Sequence, residues 1–199
     1  MSRRVPFIGL TGGLGAGKSE ALRALGELGA ATLSTDAVVH ELLASDELRD
    51  VLVDRLGEGV APGGALDRSL IAERVFGDDE ARAWLEGTLW PRVGTRVAAW
   101  RRSLEGADPP PRAAVVEVPL LFESGMESAF DCTIAVIADE TVRAERAAAR
   151  GHAAVAGRAG RQLSQEEKSQ RADFTVRNDG TIEELERSLS RVLAKIGST

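Results

Sequence analysis

Short apolar runs alternate with longer amphipathic stretches along most of the chain. The runs that predict β-strands are 5–11, 30–34, 113–118, 132–138 and 174–177. Most are continuously apolar, which is typical of parallel strands covered on both faces. The stretches with helical spacing are 18–28, 37–56, 140–150 and 182–196. This alternation predicts a three-layer, doubly wound α/β fold with a parallel five-stranded sheet, in which ligands bind beyond the carboxyl ends of the strands.

One region breaks the alternation. From residue 66 to about residue 104 the spacing is helical throughout, and turn-rich stretches at 62–64 and 108–111 bracket it. We therefore expect a single domain over 1–199, with a core made of 1–56, 107–142 and 172–199. A helical insertion is expected at 57–106 and a lid region at 143–171.

The strongest local signal lies directly after the first predicted strand. Residues 12–19 read Gly-Gly-Leu-Gly-Ala-Gly-Lys-Ser and match the phosphate-binding loop pattern G-x-x-x-x-G-K-[ST], in the strand–loop–helix context that it requires. The residues expected to bind a nucleotide there are Gly13, Leu14, Gly15, Ala16, Gly17, Lys18 and Ser19. Backbone N–H groups and the following helix N-terminus would hold the phosphates. Lys18 would reach the β- and γ-phosphates, and the Ser19 hydroxyl would bind Mg²⁺.

A chance match is the alternative interpretation, because 21 of the 199 residues are glycine. Lysine, however, occurs only as Lys18, Lys168 and Lys195. A random match is therefore rare, at roughly one in a few hundred chains of this composition. We favour a site for nucleotide phosphates.

Two carboxylates follow predicted strands and suit phosphoryl transfer, which depends on positioning and charge stabilisation. Asp36 comes just after the second strand, where it can act as the general base for an acceptor hydroxyl, hold Mg²⁺ through water or cap the next helix. Glu117 ends the third strand, where it can bind the metal or accept hydrogen bonds from nearby backbone. The sequence leaves these alternatives open, including which of the two carboxylates holds the metal.

Arginines are the second group of candidates. Arg143, Arg146 and Arg150 are spaced i, i+3 and i+7, so they share one helix face. This face would either be solvated and paired with acidic neighbours or bind phosphate oxygens, for which the planar guanidinium is well suited. Because a phosphate-binding loop demands nearby positive charge, we favour phosphate contacts for Arg150 and for Arg158, which follows a glycine-containing stretch.

Composition restricts the class of protein. The net charge is −6, which disfavours non-specific binding to nucleic acid. A single cysteine, Cys132, excludes an intrachain disulfide bond and is typical of a reducing compartment. No run approaches the ~18 apolar residues that a membrane span needs. We expect a cytoplasmic protein that binds neither nucleic acid nor membrane; its oligomeric state stays open, with a monomer favoured.

Taken in order, these motifs resemble those of the dephospho-coenzyme A kinase family. The segments that carry the resemblance are 10–19, the Asp36 segment, 66–68 with 75–76, 119–123 (Pro-Leu-Leu-Phe-Glu), Arg158 with Gln162, and 172–173 with 178–180. They extend over essentially the whole chain. The loop alone is generic, whereas its Thr-Gly-Gly version together with the Pro-Leu-Leu-Phe-Glu run is specific to the family.

The resemblance implies a nucleoside-monophosphate-kinase-like scaffold that transfers the γ-phosphoryl group of ATP, with Mg²⁺, to the ribose 3′-hydroxyl of dephospho-coenzyme A. This is the last step of coenzyme A synthesis. It implies that Asp36 is the catalytic carboxylate, that the arginines around 146–158 belong to the lid, and that Asn178 binds the nucleotide near its adenine. From the residues themselves we expect Lys18 and Arg150 to assist transfer and Arg158 to contact the nucleotide. Ser19 and Glu117 would hold the metal, and the 57–106 insertion would receive the acceptor.

The sequence departs from the family pattern at Trp90-Pro91, where the family usually has His-Pro. Two other functions remain as alternatives. One is a kinase of another small metabolite or nucleotide, and the other is a non-catalytic nucleotide switch.

Overall fold

The computed structural model of the protein describes residues 4–149 and 162–198. Its strands are β1 (Phe7–Gly12), β2 (Ala31–Ser34), β3 (Ala114–Glu117), β4 (Cys132–Ile137) and β5 (Phe174–Arg177). All strand pairs are parallel, and the sheet order is β2-β3-β1-β4-β5. Helices cover both faces. The predicted doubly wound five-stranded fold is confirmed, and each predicted strand lies within two residues of its observed bounds.

The described helices are α1 (Lys18–Glu27), α2 (Thr35–Leu43), α3 (Asp46–Leu56), α4 (Arg68–Val75), α5 (Asp79–Ser103), α6 (Glu140–Ala149), α7 (Gln165–Arg171) and α8 (Ile182–Ile196). Short 3₁₀ turns are at Glu58–Val60, Pro62–Gly64 and Met126–Ala129. The single helix predicted over 37–56 is wrong in one respect, because the chain leaves the helix after Leu43 and a new one begins at Asp46. The side chain of Ser45 accepts a hydrogen bond from the Leu48 N–H, so it caps α3 and fixes the break.

The contacts divide the chain into two units, Met1–Ser34 with Ser103–Thr199, and Thr35–Arg102. The first unit contains the sheet. Its core consists of fully buried strand residues such as Ile8, Leu10, Val115 and Ile134, against which α1 and α8 pack. Apolar residues recur at helical spacing along α8, and a capping box of Thr181 and Glu184 begins that helix.

The second unit contains α2 to α5 and is helical, apart from turns, in agreement with the interruption of the strand pattern. Its apolar stripe is clearest on α3, where Leu48, Leu52 and Leu56 are spaced by four residues and buried. This unit starts at Thr35, whereas the sequence-based insertion was expected to start at residue 57. Trp90 and Pro91 lie within α5, and Trp90 is half-buried.

No helix in the described part of the chain is long and apolar enough to span a membrane.

The α8 stripe gives a stability prediction. Leu189 is fully buried in the core of the sheet unit, so we expect Leu189→Ala to remove buried apolar surface and leave a cavity. The cost should be about 2–5 kcal/mol of unfolding free energy, measured by urea denaturation. Ile182→Ala, at a side chain that is 47% exposed on the same helix, is the control. Equal losses for the two variants would contradict this account of the core.

Candidate active site

The loop between β1 and α1 has the conformation that its glycines predict. Gly15 (φ +75°) and Gly17 (φ +89°) are in the left-handed region, which residues with a Cβ rarely adopt. Gly17 is the residue directly before α1. A Cβ on Gly15 would lie 2.5 Å from the carbonyl oxygen of Arg143, and a Cβ on Gly17 would clash with the side-chain amide of Asn178. The loop is therefore closely packed by neighbours as well as tightly turned.

Lys18 curls back over this loop. Its ammonium donates hydrogen bonds to the carbonyl oxygens of Gly12 (3.0 Å) and Gly13 (3.1 Å). The positive charge is therefore held at the loop itself, where the phosphate-binding pattern requires it. Ser19 is the second residue of α1, at the positive end of the helix.

The helix after β4 brings two arginines to the loop. Arg143 Nε donates to the carbonyl oxygen of Leu14 (2.9 Å), and its Nη1 pairs with Glu140 (2.6 Å). Arg146 Nη1 donates to the carbonyl oxygen of Asn178 (3.0 Å). The i, i+3, i+7 spacing predicted that Arg143 and Arg146 share one helix face. The phosphate contacts, however, were predicted for Arg150 and Arg158, which both lie outside the described residues.

Asn178, which directly follows β5, also supports the loop. It is 5% exposed, and its side-chain Nδ2 donates to the carbonyl oxygen of Ala16 (3.0 Å). Next to it, a hydrogen bond from Arg177, another from the Asp139 N–H, and the charge of Arg146 lower the pKa of the Asp179 carboxyl. The junction between β5 and α8 is thereby fixed beside the loop.

A cleft of about 520 Å³ opens beside Gly13 and Leu14. Its walls are Glu140, Arg143 and Ala144 of α6 together with residues 162–166. The Gln165 side chain exchanges two hydrogen bonds with the backbone of Ala138, both 2.9 Å. A Cβ on Gly13 would come within 3.2 Å of the Gln165 and Arg143 side chains. Glycine at this position therefore allows these two side chains to pack against the loop.

Sequence reasoning missed Gln165 and the helix that it begins. A signal was present, because Ser164 and Glu167 form a capping box of the S-x-x-E type. Hydrogen bonds from the Ser164 backbone and hydroxyl lower the pKa of the Glu167 carboxyl. The helix is only seven residues long, which weakened its periodic pattern.

The two candidate carboxylates follow neighbouring strands. Glu117 is the last residue of β3, 6% exposed, and in register with Leu10 of β1 and Ser34 of β2. Asp36 is the second residue of α2, two positions beyond the end of β2, and its Oδ1 is 3.8 Å from Nη2 of Arg68. Asp36 therefore lies inside the first turn of α2. It is not at the N-cap position, as a role in capping that helix would require.

Within residues 4–149 and 162–198, no group of three or more His, Cys, Asp and Glu side chains is arranged to hold a metal ion. A site that takes most of its metal ligands from water and phosphate does not need such a group, because Mg²⁺ typically binds through one or two protein oxygens.

Gly15 provides a test of the loop geometry. We expect Gly15→Ala to weaken binding of a nucleoside triphosphate by about tenfold or more. A Cβ there forces a strained backbone that costs about 1–3 kcal/mol, and it also collides with the Arg143 carbonyl. Isothermal titration calorimetry with ATP measures the change.

Gly26→Ala in α1 is the matched control, because its Cβ would meet neighbouring atoms only at 3.8 Å. If both alanine variants bind ATP as tightly as the unchanged chain, the loop is not the nucleotide site.

Both the sequence and the fold of the chain match known proteins. The family profile described as dephospho-CoA kinase matches residues 6–184. The chain is 36% identical over 193 residues to the dephospho-CoA kinase of Protochlamydia amoebophila, covering 95% of each chain.

Two solved structures extend the similarity to three dimensions. One is TT1252 from Thermus thermophilus, with a TM-score of 0.83 at 34% identity, covering 98% of this chain and 99% of that one. The other is the dephospho-CoA kinase from Campylobacter jejuni, with a TM-score of 0.68 at 25% identity and 96% coverage of both chains.

Proposed function

The chain belongs to the dephospho-CoA kinase family, and on this basis we propose that it transfers the γ-phosphoryl group of ATP to the ribose 3′-hydroxyl of dephospho-coenzyme A. The observation that carries the proposal is the glycine loop with the Lys18 ammonium held over it, beside a cleft lined by Arg143. Membership in this family makes the chain a kinase and implies the use of ATP. We also propose a cytoplasmic location.

Phosphate binding follows from the loop. Backbone N–H groups between Gly13 and Ser19, and the N-terminus of α1, would hold the phosphates of ATP. The Lys18 ammonium, which is already held at the loop, would contact the β- and γ-phosphates. The arginines would add bidentate contacts, which suit phosphate oxygens. We assign this role to Arg143 and Arg146 as well as to Arg150 and Arg158.

The donor set at the loop also fits Mg²⁺. A serine hydroxyl at Ser19 and a carboxylate at Glu117, which ends the strand next to β1, are hard oxygen ligands of the kind that Mg²⁺ prefers. We propose that these two residues hold the ion. When bound, it would neutralise charge that develops on the transferred and leaving phosphate oxygens.

Asp36 is proposed as the general base. The 3′-oxygen of the acceptor attacks the γ-phosphorus, the bond from that phosphorus to the β–γ bridging oxygen breaks, and ADP leaves. The proton of the hydroxyl passes to the Asp36 carboxylate. The position of Asp36 just past β2 supports this role, since ligands of doubly wound sheets bind beyond the carboxyl ends of the strands. Arg68 would orient the carboxylate.

The first test uses Lys18→Ala with Mg²⁺-ATP and dephospho-coenzyme A. Without the ammonium at the phosphates we expect transfer to fall below detection in an assay that follows ADP formation. Lys195→Ala, at an exposed lysine in the last turn of α8, should retain full activity. Faster phosphorylation of nucleoside monophosphates than of dephospho-coenzyme A by the unchanged chain would overturn the choice of acceptor.

The second test separates catalysis from binding. Asp36→Asn keeps the shape of the side chain but removes the proton acceptor, so kcat should fall by about 10²–10⁴-fold while the affinity for ATP is unchanged. Asp54→Asn, at an exposed position of α3, is the control. Turnover of Asp36→Asn equal to that of Asp54→Asn would leave Asp36 with a purely structural role.

A further inference from the structure

Lys168 of α7 is fully buried, which is rare for lysine unless the charge is paired. Its ammonium is 2.7 Å from the carbonyl oxygen of Pro119, 2.9 Å from Glu123 Oε1 and 3.5 Å from Thr11 Oγ1. The three N–H donors therefore have three acceptors. The partner carboxylate of Glu123 is itself only 12% exposed.

These contacts join three parts of the sheet unit that are distant in sequence. Thr11 is the last residue of β1 but one, directly before the phosphate-binding loop. The segment from Pro119 to Glu123 follows β3. Glu123 Oε1 also accepts a hydrogen bond from the N–H of Leu163, 2.8 Å away, just ahead of α7. The pair of Glu123 and Lys168 thus fixes the beginning of α7 against the ends of β1 and β3.

The beginning of α7 is also the wall of the cleft. Residues 162–166 line it opposite α6, and Gln165 lies against Gly13 of the loop. Gln165 ties this wall to the end of β4 through Ala138. The Glu123–Lys168 pair joins the same wall to the ends of β1 and β3.

Stability alone does not explain this ion pair. A buried pair contributes little net stability compared with apolar side chains of similar size. In addition, Glu123 Oε2 is buried without a hydrogen-bond partner among the described residues, which is a further cost. A directional pair does, however, fix the relative position of the segments that it joins, which an apolar contact does less strictly.

We propose that Glu123 and Lys168 are positioning residues for the nucleotide: they hold residues 162–166 against Gly13 so that the cleft is already shaped for binding. This inference rests on the proposed function, because it assigns the cleft to ATP. Lys168 is fully buried, Glu123 is only 12% exposed and neither residue lines the cleft, so we expect neither side chain to touch the nucleotide. Their loss should therefore weaken nucleotide binding and leave the KM for dephospho-coenzyme A unchanged.

The test compares Lys168→Met and the double variant Glu123→Leu/Lys168→Met with the unchanged chain. Lys168→Met leaves a buried carboxylate without its cation, so both melting temperature and ADP affinity should fall. The double variant removes that charge, so its melting temperature should recover. Its dissociation constant for Mg²⁺-ADP should nevertheless stay raised by about tenfold or more, which corresponds to about 1.4 kcal/mol of binding free energy.

Arg171→Met is the matched control, because it removes a positive charge from an exposed position of the same helix. Glu123→Gln, which is nearly isosteric, keeps the test decisive if Lys168→Met does not fold, and it should also bind ADP more weakly than the control. ADP affinity that recovers together with the melting temperature in the double variant would overturn the inference, as would affinity equal to that of Arg171→Met in every variant.

The two proposals fail in different ways. An unchanged chain that binds ADP but does not phosphorylate dephospho-coenzyme A would overturn the proposed function, and the comparison of ADP affinities would still decide the role of the pair. An active chain whose variants bind ADP normally would overturn the positioning role alone.

Discussion

The geometry of the site depends on where the carbonyl oxygens of the phosphate-binding loop are held. Lys18 binds those of Gly12 and Gly13, Arg143 binds that of Leu14, and Asn178 binds that of Ala16. The N–H and C=O groups of a peptide unit point in opposite directions. Tying the carbonyls to these side chains therefore orients the N–H groups in a defined way, as the proposed binding of phosphate requires. Glycine is required at positions 15 and 17 because Arg143 and Asn178 come too close to leave room for a Cβ there.

The sequence predicts the loop and the strands well, because each depends on local information. A continuous apolar run defines a buried strand, and the G-x-x-x-x-G-K-S pattern defines the turn after β1. Helix ends were less certain: the break between α2 and α3 depends on a single cap at Ser45, which apolar spacing alone does not reveal. The bounds of the helical unit are equally difficult to predict. The boundary at Thr35 is defined by which residues contact each other in the fold, and no change in amino-acid composition marks it.

The parts of the site that sequence reasoning could not find depend on contacts between distant residues. Nothing local distinguishes Arg143 from the other arginines of α6, and it is the position of β4 next to β1 that brings it to Leu14. Lys168 is a stronger example. Its neighbours in sequence are polar and suggest a solvated helix, yet contacts with residues 45 to 157 positions away bury it completely. The proposed roles of Asp36, Glu117, Arg150 and Arg158 remain predictions.

The strand order explains why the residues that support the loop and the two candidate carboxylates lie on opposite sides of β1 in the sheet. The loop follows β1, the central strand, with β4 and β5 on one side and β3 and β2 on the other. The segments after β4 and β5 carry Arg143, Arg146 and Asn178, and all three bind the loop or its support. Glu117 ends β3 and Asp36 follows β2. For these two carboxylates we propose binding of the metal and removal of the proton from the acceptor hydroxyl. The strand order switches sides at β1, and doubly wound sheets bind their ligands at such a switch point, which supports the proposed nucleotide site at the loop after β1.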